Sequence, residues 1–207
     1  MKRNRFILSI ILLASLCCGM PYAQEAPGRP DKYKTVVQGK KHANGLFKSF
    51  IGPTPNDSFK AGEAFGYEFH SKSGETLYLD KVGFYQVDGP TPMTHMKFRI
   101  DIYNMSNVKE EPSDKFVAVP SSSVDFSYNP DEVHDGKFVY TLAHPVALPK
   151  DAMVAIVMLE DMTDEKLWYK SNMLGKNVWS PVEGTGYWCK CPFAPPFFVE
   201  CMAVKDR

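Results

Sequence analysis

The side chains best suited to bind a ligand are aromatic and lie in the C-terminal third of the chain. A flat tryptophan or tyrosine ring can stack on the apolar C–H face of a sugar, and the indole N–H adds a donor at the ring edge. These residues stand in short segments rich in Gly, Asn and Ser, which are typical of loops and strand ends. The alternative is that the rings belong to the core, where tryptophan is usually at least partly buried. The candidate ligand-binding residues are Trp168, Tyr169, Trp179 and Trp188.

Three cysteines near the C-terminus form a second group of reactive side chains. Cys189 and Cys191 are separated by one residue, so in a strand both point to the same face. Cys201 follows in the next strand, beyond a proline-rich segment, and a hairpin would bring it opposite one of the pair. If the chain is exported, oxidation is favoured, and we predict a disulfide from Cys201 to Cys189 or Cys191. Three buried thiols are the alternative, whereas the spacing does not fit a zinc site.

Catalytic signatures are absent from the sequence, which has no G-x-S-x-G, H-E-x-x-H, P-loop or dinucleotide-binding glycine motif. Ser106 and Lys109 match the Ser-x-x-Lys pattern, but they follow a strand-like run instead of lying on a helix. His134 is flanked by three carboxylates, which together resemble a set of metal ligands. The Asn-Pro and Asp-Gly dipeptides around it favour a solvated turn. We therefore assign no catalytic and no metal-binding residue, and a hydrolase with a site built from distant loops stays open.

Short apolar runs separated by turn residues must position these side chains. In residues 96–103 every second residue is apolar, which is the pattern of a strand with one buried face. Residues 76–87 alternate too, but the parity switches near Asp80 and Lys81, which predicts a β-bulge or a bend there. Residues 153–159 are almost all apolar and too few for a buried helix, so we expect a central strand covered on both faces. Further strands are expected around Phe65–Phe69, Val124–Tyr128, Phe138–Leu142 and Phe197–Val204.

About ten short strands with turns between them predict an all-β fold, an antiparallel β-sandwich of the jelly-roll type, over residues 46–207. The whole chain has 207 residues and is 44% hydrophobic, which suits one globular domain. Its 24 basic and 24 acidic side chains balance, which argues against a nucleic-acid-binding protein and against a disordered acidic tail.

The N-terminus predicts export. Residues 1–23 read as a signal peptide, because Lys2, Arg3 and Arg5 precede an apolar run over residues 6–18. That run is shorter than the roughly 18 residues that a membrane-spanning helix needs. Residues 24–45 are polar and contain scattered Pro and Gly, so they are predicted to form a flexible tether. The protein is then periplasmic, displayed on the cell surface or secreted, with no membrane span.

Two alternatives concern how the N-terminus is processed. Cleavage after Ala23 leaves a polar mature N-terminus, and cleavage after Gly19 is the second option. Cys17 or Cys18 stands where a bacterial lipoprotein carries its lipid anchor, but the residue before each is not the usual small one. We favour the interpretation that both cysteines belong to the apolar run.

Four strand segments carry a resemblance to known proteins: GYEF at 66–69, LDKVGFY at 79–85, FRIDIY at 98–103 and VALPKD at 146–151. They resemble secreted β-sandwich domains of Bacteroidetes-type bacteria, which are similar to the galactose-binding-like jelly rolls of surface glycan-handling proteins. The resemblance implies a jelly roll and a glycan or surface-protein partner. It also implies a structural calcium as the one cofactor to consider, with Glu68 as a candidate ligand. It carries no catalytic residue, and fold analogy alone does not give function.

From these features we expect an exported, non-catalytic binding module, with carbohydrate as the first ligand class to test. The alternatives are a structural or adhesive component of a cell-surface protein assembly, and a hydrolase.

The mature N-terminus is expected at Gln24, because the segment that follows Ala23 is polar and the context of the two N-terminal cysteines is poor for lipidation. Intact-mass analysis of the exported protein measures this directly. A diacylglyceryl group on Cys17 or Cys18 would contradict the expectation and would place the protein on a membrane surface.

Overall fold

A computed structural model of the chain describes residues 28–39, 61–85, 95–107, 115–116, 119–160, 178–182, 185–191 and 197–206. In these segments the chain forms eleven strands and two 3-10 turns, Met105–Asn107 and Pro130–Glu132. The described segments contain no helix that is long and apolar enough to cross a membrane. The strands are β1 (Lys34–Gln38), β2 (Ala64–His70), β3 (Glu75–Tyr85), β4 (Met96–Asn104), β5 (Lys115–Phe116), β6 (Ser122–Tyr128), β7 (Lys137–Ala147), β8 (Asp151–Met158), β9 (Val178–Pro181), β10 (Trp188–Lys190) and β11 (Phe197–Lys205).

The strands form two antiparallel sheets. The smaller sheet has four strands in the order β1-β11-β3-β7, and the larger has seven in the order β5-β10-β9-β2-β8-β4-β6, counting the two-residue β5. The connections β2–β3, β3–β4, β6–β7, β7–β8 and β10–β11 each lead from one sheet to the other. The predicted all-β antiparallel sandwich is confirmed.

Alternating apolar residues from both sheets fill the space between them. In β4 the residues that the alternation predicts to be buried are buried, with Phe98 and Ile100 at their centre. The opposite face is not fully solvated as predicted, because Asp101 and Tyr103 on it are buried too. The ring of Phe84, in the smaller sheet, lies 4.5 Å from the ring of Phe197 on the adjacent strand and 4.8 Å from the ring of Phe98 in the larger sheet, measured between centroids. Aromatic pairs at such distances add to the energy of simple burial. Phe84 therefore joins the two sheets at the middle of the core.

The parity switch in β3 is a β-bulge at Asp80, as predicted. Leu79 and Lys81 both have partners on the two neighbouring strands, whereas Asp80 falls between the paired positions on each side. An extra residue of this kind reverses which side chains point inward. The Asp80 carboxylate is buried, and the Arg29 guanidinium donates a hydrogen bond to it from Nε to Oδ1 over 3.0 Å.

One correction concerns the tether predicted over residues 24–45. Lys34–Gln38 are not a flexible segment but strand β1, which pairs antiparallel with β11, from Lys34 opposite Ala203 to Gln38 opposite Val199. The sequence of this strand shows no alternation of apolar and polar residues because the strand lies at the margin of its sheet. Val36 packs against the core, and the neighbouring side chains are mostly exposed. The remainder of that segment, and the predicted signal peptide, lie outside the described residues except for residues 28–33 and 39.

Replacing the central aromatic ring tests the packing of the two sheets. Phe84→Ala should lower the free energy of unfolding by about 3–5 kcal/mol, because it leaves a cavity between rings of both sheets. Val139→Ala is the matched control, since Val139 is 42% exposed on a neighbouring strand, and its cost should stay below ~1 kcal/mol. Chemical denaturation measures both values. Equal costs for the two variants would show that Phe84 is not central.

Candidate functional site

The outer face of the larger sheet, which points away from the smaller sheet, is not a solvated surface at its centre. In β8 the residues facing the smaller sheet are buried, but so are Met153, Ala155 and Val157, which point the other way. The prediction that this strand is covered on both faces is confirmed. We call the buried residues of the outer face the outer cluster: Ala64, Tyr103, Met153, Ala155, Val157, Trp179 and Trp188.

A small residue in β2 makes room for the large side chains of the outer cluster. Gly66 pairs with Trp179 on one side and with Ala155 on the other. A Cβ atom at Gly66 would lie 2.6 Å from the Met153 sulfur, which is closer than packed atoms allow. The absence of a side chain there lets Met153 lie across the strand. Trp188 meets Tyr103 edge to face, with ring centroids 5.4 Å apart.

Two of the four candidate ligand-binding aromatics are thereby placed. The relative exposure of Trp179 is 0% and that of Trp188 is 7%, so both rings take part in packing, which is the alternative that the sequence left open. The Nζ of Lys190 also lies 5.3 Å from the centroid of the Trp179 ring. The other two candidates, Trp168 and Tyr169, lie outside the described residues, and their role stays a prediction.

Four polar side chains form a connected group at the margin of the outer cluster. We call this group the polar row: Glu68 and His70 of β2, Asp151 at the start of β8, and Ser106 of the 3-10 turn after β4. The indole N–H of Trp179 donates to Glu68 Oε1, and Glu68 Oε2 lies 3.7 Å from His70 Nε2. His70 Nδ1 is 2.9 Å from Asp151 Oδ1, and the Ser106 hydroxyl donates to Asp151 Oδ2 over 3.1 Å.

Local structure sets the positions of these groups. His70 and Asp151 are direct cross-strand partners, so their side chains leave the sheet on the same face. Asn104 accepts a hydrogen bond from the Ser106 backbone N–H over 3.0 Å, which closes the turn that aims the hydroxyl at Asp151. The sequence alone does not identify this group. Its members are 2 to 83 positions apart, and the pairing of β8 with β2 on one side and with β4 on the other brings them together.

The neighbours of Asp151 in the polar row stabilise its ionised form. Its hydrogen bonds with His70 and then with Ser106 hold the pKa of the Asp151 carboxyl below its ordinary value. An ionised carboxylate only accepts, so the His70 Nδ1 atom must carry the proton of that bond. The hydroxyl of Ser106 is directed at the carboxylate and not at the imidazole. This order does not activate a nucleophile, which requires the base to lie between the hydroxyl and the acid.

A second polar group on the same face is centred on the buried carboxylate of Asp101. The buried Asp101 carboxylate accepts from Arg99 Nε over 2.7 Å and Arg99 Nη2 over 2.9 Å, and from the Ser123 hydroxyl over 2.6 Å. Burial and then the charge of Asp101 raise the pKa of the Tyr103 phenol to about 12. Because all of these groups bond to one another, this part of the face serves the sheet itself.

The three cysteines are free thiols in the structure. The predicted hairpin that would bring Cys201 opposite Cys189 or Cys191 is wrong, because β10 pairs with β5 and β9 in the larger sheet and β11 pairs with β1 and β3 in the smaller one. Cys201 points into the core, and burial raises the pKa of its thiol, which keeps it protonated.

The carboxylate-rich segment around His134 is a turn, as predicted. The Asn129 side chain accepts from the Asp131 N–H at the start of a 3-10 turn, and His134 pairs with Lys137 across the following tight turn. Asp135 and Gly136 take the positive φ values that such a turn requires, 50° and 70°. Over the described part of the chain, no group of three or more His, Cys, Asp or Glu side chains is placed to hold a metal ion, and Glu68 is engaged by Trp179.

Comparison of the chain with known protein families, curated proteins and solved structures gives no match. The class that the structure defines is an all-β sandwich of two antiparallel sheets.

Thiol labelling tests the placement of the cysteines. In the native protein, Cys189 and Cys191 should react with a maleimide, whereas Cys201 should react only after denaturation, because it is buried and protonated. Mass spectrometry of peptides labelled before and after denaturation measures this difference. Peptide mapping without reductant that finds Cys201 crosslinked to Cys189 or Cys191 would contradict it.

Proposed function

We propose that this chain is an exported, non-catalytic binding module whose ligand is carbohydrate. The observation that carries the proposal is the polar row, since it presents an ordered set of hydrogen-bonding groups at the surface. The side chain of His70 is 59% exposed and that of Asp151 is 39% exposed, yet both are held by bonds within the row. Sugar hydroxyls donate and accept, so carboxylate oxygens, an imidazole and a hydroxyl suit them.

The arrangement favours binding over reaction. A binding site needs polar groups that are already oriented, because ordering them on contact with the ligand would cost affinity. In the polar row, Glu68 is fixed from beneath by the buried Trp179 and Asp151 is fixed by Ser106. Trp168 and Tyr169 remain the sequence candidates for a stacking contribution to the same ligand.

The finer fold and location belong to this proposal. Repeated crossing of the chain between the two sheets supports a jelly roll of the galactose-binding-like kind. The N-terminal sequence supports export by a signal peptide, to the periplasm, the cell surface or the medium, with a lipid anchor at Cys17 or Cys18 as the alternative. A structural calcium is the one cofactor that the resemblance to these jelly rolls suggests.

Screening the exported protein against plant, host and bacterial-surface polysaccharides tests the proposal. The wild type should bind at least one of them. Asp151→Asn and His70→Ala should each weaken binding about 10-fold or more, as expected for losing a hydrogen bond to a charged group. Thermal melting should change little, because the His70 side chain is mostly exposed and that of Asp151 is partly exposed at the start of its strand.

The matched control is Ser127→Ala, an exposed residue of β6 in the same sheet, which should bind as the wild type does. Trp168→Ala separates a stacking role from a packing role: lost affinity with unchanged melting supports stacking. The proposal fails if no glycan binds, or if both polar-row variants bind as well as the wild type.

The second candidate is a structural or adhesive component of a surface assembly. One observation favours it: β7 has eleven residues and pairs, among the described strands, with β3 on one side only. A long strand at a sheet margin offers backbone N–H and C=O groups to another chain. This candidate takes first place if the glycan screen is negative. The third candidate is a hydrolase, and in the polar row the Ser106 hydroxyl is bonded to the Asp151 carboxylate and not to the His70 imidazole.

A further inference from the structure

The N-terminal part of the described chain, residues 28–38, is attached to the smaller sheet by a strand ladder and by one arginine side chain. We call these residues the arm. Strand β1 forms a five-residue antiparallel ladder with β11, from Lys34 to Gln38. Before it, the Arg29 side chain reaches beyond β11, donating to Asp80 of β3 over 3.0 Å and to the Leu142 carbonyl of β7 over 3.1 Å. Every one of these partners belongs to the smaller sheet, and none is close to the arm in sequence.

The contact made by Arg29 is electrostatic and specific. The Asp80 side chain is 3% exposed and sits at the bulge, so it needs a cation to offset its desolvation. Lys81 Nζ is 3.7 Å from Asp80 but bonds to Glu200 over 2.6 Å. Arg29 is the closer cation, and its forked guanidinium bonds the carboxylate and a carbonyl together. The bulge thus forms a receptor for one arginine side chain.

The arm adds little to the apolar core. Of β1, Val36 packs against the core, whereas Val37 is 46% exposed. The arm is therefore held mainly by a backbone ladder and a charge pair, and the arm of a second copy can replace both without opening the sandwich. Without the arm, the mostly apolar strand β11 would present an unpaired margin, which favours pairing with another strand.

The connection between the arm and β2 is long enough for the arm to pair with β11 of its own chain or with β11 of a second copy. Residues 39–63 separate β1 from β2, and an extended chain of that length spans ~80 Å at about 3.3 Å per residue. The arm of one copy can therefore reach the β11 margin of a neighbouring copy as well as its own. Exchange of an identical element between copies makes the same contacts at low cost.

We propose that the arm is exchangeable between copies of this chain: β1 of one copy pairs with β11 of a second, and Arg29 of the first enters the Asp80 receptor of the second. The partner is thus a second copy, recognised by an antiparallel strand and one arginine. This inference does not rest on carbohydrate binding, because the arm and the polar row lie on different sheets.

Crosslinking between two variants that each carry one introduced cysteine tests the exchange. Val37 and Glu200 are direct partners in the ladder. Val37→Cys and Glu200→Cys are made separately in full chains in which Cys17, Cys18, Cys189 and Cys191 are replaced by Ser and only the buried Cys201 is kept. The two chains are mixed at high concentration and treated with a short bismaleimide. A Val37–Glu200 heterodimer should form, since that crosslink between separate chains requires β1 of one copy beside β11 of the other. Adding Arg29→Ala to the first chain should reduce its yield several-fold.

The matched control replaces Glu200→Cys by Ser127→Cys, an exposed position on the other sheet, and should give no heterodimer above background. The double variant Val37→Cys/Glu200→Cys calibrates pairing within one chain. A crosslinked monomer from the double variant without a heterodimer from the mixture would overturn the proposal, as would no crosslink at all. Coelution of affinity-tagged and untagged wild-type chains gives the same answer without substitutions, and failure to coelute would count against exchange.

Discussion

Burial of β8 on both of its faces is the constraint on which the rest of this structure depends. A strand in a sandwich normally buries one face and presents the other to water. In β8, Val154 and Ile156 face the smaller sheet, and Met153 and Ala155 face away from it, and all four are buried. The larger sheet must therefore be packed on both sides at its centre. This requirement explains why the tryptophans of β9 and β10 lie over the sheet and do not project from it.

Two-sided packing also decides where polar groups can lie on the outer face. A charged group near its centre has to be bonded on all sides, which is what Arg99 and Ser123 do for Asp101. Groups at the margin can keep some of their bonding capacity for a ligand, which is the condition of His70 and Asp151. The buried Trp179 joins the two regions, because its N–H orients Glu68. Packing in the outer cluster thus helps to orient the side chains of the polar row.

The sequence was sufficient for features that depend on local periodicity. The parity switch at Asp80 and the unbroken apolar run of β8 each have one structural explanation, and the structure agrees with both. The alternation in β4 identified the inner face of that strand, but not the burial of Asp101 and Tyr103 on its other face. Features set by pairing between distant segments were not predictable. Strand β1 is polar because it lies at a margin, and its Arg29 meets Asp80 from 51 positions away.

The candidate site could likewise be predicted from the sequence only where it depends on residue type or local pattern. Residue type identified Trp179 and Trp188 as candidates, but a strand pattern cannot show whether a second layer covers the outer face. The strand pattern also could not show that β10 and β11, which are neighbours in sequence, belong to different sheets. This arrangement separates Cys201 from Cys189 and Cys191. The polar row depends on the register of β2 against β8, and register is fixed by the whole sheet.

Native-state hydrogen exchange of the full chain tests the two-sided burial of β8 most directly. Backbone amides in the best-packed central strands exchange through global unfolding, whereas strands at a margin exchange through local opening. Peptides covering β8 should therefore exchange most slowly, and those covering β1 and β6 much faster. If β8 exchanges as fast as β1 and β6, the larger sheet is not packed on both faces, and the account given for the outer cluster and the polar row is wrong.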